Sequence, residues 1–367
     1  MPAKAPADMD LRDRCDIRIG FPADDAGSSA NWLREIADWL EAEGIHDEIY
    51  LEGELAARLE TECASLTGKP AALWFPTGTM AQMAAALVHA GATGRTRIGL
   101  HPNSHLLLHE DGSIKKLAGL EPVHIGEWHR GIDAADLKAA GDLACLFIEL
   151  PQRHNGGLCP DWDVLVATAD AARGSGARLH MDGARLWSAR EAFDGRSYVE
   201  ICAPFDSVYM SFYKDVGALG GAVLVGDEDF IAQARQWRHR QGGLQVRGWP
   251  VMADALRRLP DSIAAMPGWI AAARELAELV RSTGLAVEPA AVRTNMFHVR
   301  LPVTKDDFSR FRNQIAERKG VWLGRSTWDI DGRPGISLEI AVNAHLASAD
   351  RDRLRDAFGL LADLAVA

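Results

Sequence analysis

Lys214 follows the apolar segment Ser211-Phe212-Tyr213 and precedes Gly217, Gly220 and Gly221. An amine at the end of an apolar strand is partly desolvated, which lowers its pKa toward the range where it acts as a nucleophile, and the glycines leave room for a bound group. The chain carries eight lysines against thirty-two arginines, so it usually writes a surface positive charge as arginine. That makes a purely surface role for Lys214 the weaker reading. Asp182 closes a second apolar run, Leu179-His180-Met181, with Arg185 three residues on. A carboxylate there can hold a pyridine nitrogen protonated, so that the ring acts as an electron sink. The bland alternative is a solvated turn aspartate paired with its arginine. Thr77-Gly78-Thr79-Met80 opens a helical pattern. Gly78 permits close approach, two hydroxyls can donate and a helix N-terminus presents free N–H groups, a combination that suits a phosphate, although a plain N-cap would also read this way.

These clusters need elements to hold them. The short apolar run from residue 71 to 75 predicts a strand, followed by a turn and a helix over 80–89. The alternation recurs with strands predicted at 96–100, 143–150, 178–182, 207–212 and 221–225 and a helix over 161–175. Two amphipathic helices, at 31–43 and 53–66, precede the series. Strands interleaved with helices imply an α/β domain with a largely parallel sheet covered by helices on both faces. The three clusters fall where strands end, which is where open α/β sheets place ligands. A helix-rich stretch over 250–283 and strands near 295–301 and 336–342 then read as a smaller C-terminal α+β domain. The expected division is a lead-in and helix over 1–45, a large domain over 46–250 and a small domain over 251–367.

The 367 residues, 47% of them hydrophobic and 25% charged, suit a globular chain of about two domains at roughly 150 residues each. A net charge of −11 spread along the chain repels phosphodiester backbones, so no nucleic-acid partner is expected. The five cysteines form neither a C-x-x-C pair nor a cluster with histidine, and neither disulfides nor a metal site is expected. With no apolar leader and no apolar run long enough to span a bilayer, the expectation is a cytoplasmic protein without a membrane partner.

The order Gly78, Asp182, Lys214 is that of the phosphate turn, ring-nitrogen acid and lysine of fold type I pyridoxal phosphate enzymes, which share the aspartate-aminotransferase fold. The segments themselves resemble the threonine aldolase and beta-eliminating lyase family. Phe75-Pro76-Thr77-Gly78-Thr79-Met80-Ala81-Gln82 looks like the aldolase P-S-G-T-M-A-N, and His180-Met181-Asp182-Gly183-Ala184-Arg185-Leu186-Trp187 resembles H-L-D-G-A-R-L-W. Residues 211–226 are similar to S-x-x-K-G-L-G-A-P-x-G-S-x-L-x-G, and the likeness runs from about Asp47 to Gly243.

The resemblance implies pyridoxal 5'-phosphate held by Lys214 as a Schiff base, with Asp182 on its ring nitrogen. Thr77, Gly78, Thr79 and Met80 would hold the phosphate, and His105 of Ser104-His105 would stack on the ring and relay a proton. Arg185 would clamp the substrate carboxylate with its planar fork. The chain departs from the family at Glu149-Leu150-Pro151-Gln152-Arg153-His154-Asn155-Gly156-Gly157, where a gapless match puts Gln152 at a position that is histidine in aldolases and His154 fits only with a gap. The second carboxylate-binding arginine also has no direct counterpart, and Arg325 is the substitute. Residues 237–247 resemble an aldolase segment that reaches a neighbouring subunit's cofactor phosphate, which points to Arg240 and Arg247 and to a homodimer or homotetramer with shared sites. The implied reaction is retro-aldol cleavage of a β-hydroxy-α-amino acid to glycine and an aldehyde. The alternatives are β-elimination on the same cofactor, or a non-catalytic binding protein on the same fold.

Overall fold

In the computed structural model the described residues are 11–20, 29–46, 48–324, 327–328 and 332–366. Seven strands make one sheet: β1 (Ala71–Phe75), β2 (Arg97–Leu100), β3 (Glu121–His124), β4 (Cys145–Glu149), β5 (Arg178–Gly183), β6 (Ser207–Ser211) and β7 (Ala222–Gly226). Their spatial order is β1-β7-β6-β5-β4-β2-β3. Every pairing is parallel except those of β7, which runs against both neighbours. β1 therefore points the same way as the parallel strands, and six carboxyl ends share one edge. Strands β6 and β7 are buried at every position and read as nearly continuous apolar runs because helices cover both faces.

Edge strand β3 escaped the sequence reading. Its sequence, Glu-Pro-Val-His, is half polar and contains a proline, which a sheet tolerates only at an edge. Helix α1 (Glu54–Thr67) packs on β1, and α2 (Gly78–Thr93) packs on β6 and β7. Alanine-rich α2 starts at Thr77, whose hydroxyl accepts the Met80 N–H at 3.3 Å, and it stops at Gly94 in the left-handed conformation.

The chain forms two compact units, one of residues 27–154 and 159–264 and one of residues 1–26, 155–158 and 265–367. The sequence reading drew its boundaries after residues 45 and 250. The smaller unit holds an antiparallel sheet in the order Thr327–Trp328, Ile336–Ala341, Met296–Leu301, Ala286–Glu288. Phe297, Val299, Leu338 and Ile340 of that sheet are buried with Phe308, Ile315, Phe358 and Leu361 of helices Lys305–Lys319 and Arg351–Val366. The short strand Ile17–Arg18 joins this unit by pairing in parallel with Val321–Trp322, a two-residue contact across three hundred positions that no local pattern announces. Among the described residues no helix is long and apolar enough to cross a membrane.

Candidate active site

At the carboxyl edge of the large sheet, Gly78, Thr79, Gln82, His105, Glu110, Asp182, Tyr209, Tyr213 and Lys214 line one cavity. All belong to the larger unit. The topology explains the meeting, because β1, β5 and β6 are co-directional and each delivers its polar residue at the same end.

Gly78 opens α2 against the phenol of Tyr209, and a Cβ at this position would stand 2.2 Å from the Tyr209 hydroxyl oxygen. Only glycine lets the helix start so close to the sheet, and Gly78 and Thr79 of its first turn then border the cavity.

Asp182 is buried at the end of β5 and accepts the Ala184 N–H at 3.2 Å. Burial pushes its carboxyl up to about 7, and the carboxylate of Glu149, its register partner on β4, pushes the same way. The charges of Lys214 and His105 act in the opposite direction. A buried acid held near neutrality by its surroundings is poised for a cationic partner, which would return it to the charged form.

Lys214 lies three residues beyond β6 and is 8% exposed. The turn that carries it closes through the Gly217 N–H to the Lys214 carbonyl at 3.1 Å, with Gly217 at φ 70. Further on, Gly221 at φ 86 leaves space for Trp74, since a Cβ there would lie 1.7 Å from its ring. The next residue, Asp215, accepts from Arg185 Nη1 at 2.9 Å, and both side chains are buried. This ion pair ties the lysine turn to the end of β5, where a broken partner would strand a buried charge. Arg185 is therefore held by Asp215 and does not appear among the residues that line the cavity.

His105 begins the short helix His105–Leu108, and its Nδ1 lies 3.1 Å from Glu110 Oε1. Ser113 donates to the other oxygen of Glu110 at 3.0 Å. His109 stacks on His154 with ring centroids 5.0 Å apart, and their Nε2 atoms lie 2.8 Å from each other. Gln152 is buried and donates to Asn103 Oδ1 at 3.0 Å, next to His101. Arg240 and Arg247 are exposed, and Arg240 lies over the Trp237 ring. Arg325 lies outside the described residues.

Four cavity residues escaped the sequence reading, among them Gln82, which stands in the turn segment without a role there. Glu110 sits five residues beyond His105 in a stretch with no strand or helix period, and Tyr209 is one apolar-looking position of a buried strand. Tyr213, adjacent to Lys214, was quoted without a role; it bonds to the Tyr209 hydroxyl, whose pKa burial raises well above the ordinary tyrosine value. Adjacency to the lysine was the available signal.

A model of the beta-eliminating lyase family matches residues 33–302. The low-specificity L-threonine aldolase 1 of Arabidopsis thaliana is 32% identical over 266 residues, 69% of this chain and 73% of the relative. The low specificity L-threonine aldolase of Escherichia coli K12 is 28% identical over 275 residues, 73% of this chain and 81% of the relative. The crystal structure of a candidate L-allo-threonine aldolase from Listeria monocytogenes superposes with a TM-score of 0.88 at 30% identity, covering 97% of this chain and 98% of the other.

Proposed function

The chain belongs to the beta-eliminating lyase family, and from that membership we propose that it is a pyridoxal phosphate-dependent lyase cleaving the Cα–Cβ bond of a β-hydroxy-α-amino acid to glycine and an aldehyde. The observation that carries the reading is the convergence of a buried amine, a buried carboxylate and a glycine-opened helix start in one cavity. That set fits the cofactor: the N–H groups at Gly78 and Thr79 suit its phosphate, with Thr77 and Met80 closing the cap beside them, Asp182 suits its pyridine nitrogen and Lys214 its aldehyde carbon. When bound, the cofactor supplies an electron sink for the carbon left by bond cleavage.

The chain's residues do the rest. Asp182 would hold the ring nitrogen protonated, and Lys214 would be the point of attachment for the cofactor's aldehyde carbon. His105, with Nδ1 turned to Glu110, has Nε2 left to accept a proton, and we assign it to the β-hydroxyl. Arg185 is assigned to the substrate carboxylate with its plane set by Asp215, and Gln152 and His154 to the substrate's side of the site. A shared-site homodimer or homotetramer using Arg240 and Arg247, and a cytoplasmic location, belong to the same proposal.

Gln152 favours one rival. An amide accepts no proton at neutral pH, so the chain lacks the base that the family carries at this position, and β-elimination of a leaving group needs no base at a β-hydroxyl. Incubation with a panel of β-hydroxy and β-leaving-group amino acids separates the two. Glycine with an aldehyde is expected, whereas pyruvate with ammonia as the main products would overturn aldol cleavage in favour of elimination.

A further inference from the structure

Four buried side chains form one hydrogen-bonded string behind the cavity. Gln82 Oε1 lies 2.8 Å from His180 Nε2, His180 Nδ1 lies 2.7 Å from Ser207 Oγ, and Ser207 Oγ lies 2.6 Å from His89 Nε2. Gln82 and His89 stand two turns apart on the same face of α2, and His180 and Ser207 are register partners on β5 and β6. None is more than 3% exposed.

Such a string has only two consistent polarities. Burial lowers the pKa of both imidazoles, His180 well below the ordinary value and His89 to about 4, so each ring carries one nitrogen proton. In one polarity His89 donates to Ser207, Ser207 donates to His180 Nδ1, and His180 Nε2–H donates to the Gln82 carbonyl. The amide nitrogen of Gln82 then faces the cavity, where it has no protein partner among the described residues. The reverse polarity would turn the amide over from the orientation the structure holds, in which Oε1 faces His180, and would point the carbonyl oxygen toward the Glu110 and Asp182 carboxyls as well as toward Lys214. The first arrangement wins, and it leaves a buried donor aimed at the space assigned to the cofactor.

We propose that Gln82 is a cofactor-binding residue, donating from its side-chain amide to an oxygen of bound pyridoxal 5'-phosphate, and that His180, Ser207 and His89 are positioning residues that keep the amide donor-side out. The assignment rests on the function proposed above.

The test is cofactor titration of the apo-protein, followed by the visible absorption band, in Gln82→Glu, Gln82→Leu, Ser207→Ala and the Gln82→Leu/Ser207→Ala double variant. Gln82→Glu keeps the size and the acceptor toward His180 but offers no amide donor. It should raise the cofactor dissociation constant by about tenfold, the scale of one hydrogen bond to a charged acceptor. Ser207→Ala, which never reaches the cavity, should weaken binding by a smaller factor alone and by nothing further in the Gln82→Leu background, because its effect runs through the amide. A packing role for Ser207 would give additive losses. Unchanged affinity in Gln82→Glu, or additivity in the double variant, overturns the assignment. If Gln82→Leu fails to fold, Gln82→Glu and the Gln82→Glu/Ser207→Ala pair decide the same question. A wild-type chain that takes up no cofactor would overturn the function itself, which is a different failure from unchanged binding in the variants.

Discussion

Asp182 is the residue whose burial has the clearest thermodynamic consequence. With its carboxyl pushed up to about 7, the cofactor-free fold binds a proton more tightly than the unfolded chain does. That stabilisation is complete below the ordinary carboxylate range and is lost as pH rises toward 7. Asp182→Asn removes the titration. Across this window the apo variant should therefore gain on the apo wild type by about 1.4 kcal/mol per pH unit, read from urea midpoints. A stability difference that stays flat with pH would contradict the buried-acid account. Saturating cofactor should abolish the dependence in the wild type, since a protonated ring nitrogen holds the carboxylate charged. Residue identity was readable for Lys214 and Asp182 because each ends an apolar run where an ionic side chain has no packing purpose. Glu110 carried no such contrast, because its burial is decided by the fold of the loop around it.

Among the elements, the α2 start shows how a turn and a strand are matched. The close approach of Gly78 to Tyr209 predicts that Gly78→Ala overpacks the site, at about 1–3 kcal/mol, and shifts the helix N-terminus enough to weaken cofactor binding. Tyr209→Phe in the same background should recover part of the stability, since it removes the nearest atom. Equal stability of Gly78→Ala and wild type in urea would show that the helix start has slack the structure does not suggest. The strands that hold these residues were legible from apolar runs bounded by turns. The reversed direction of β7 was not, because a five-residue apolar run, Ala-Val-Leu-Val-Gly, reads the same in a parallel or an antiparallel place.

For the whole molecule the open proposal is assembly. Arg240 and Arg247 are exposed at the end and beyond the end of helix α3 (Glu228–Arg240), and neither lines the cavity of its own chain. If they complete a neighbour's site, mixing an Arg240→Ala or Arg247→Ala chain with an equal amount of Lys214→Ala should restore up to about a quarter of the wild-type activity, because half of the dimers are hybrids and each hybrid holds one intact site of two. Complementation that fails while subunit exchange is confirmed would remove the shared-site proposal and leave both arginines as surface charges.

What the sequence determined by itself was the class of chemistry and the kind of sheet that carries it. Lysine, aspartate and a glycine turn at strand ends are local facts, written in a few consecutive residues each, and the order in which they occur survives any uncertainty about distant packing. The tertiary structure alone decided their companions. Glu149 faces Asp182, Asp215 holds Arg185, and Gln82 is joined to His89 through His180 and Ser207 because strands far apart in the chain lie side by side in register. Such partners are chosen by which strand neighbours which, a long-range property that no window of sequence contains.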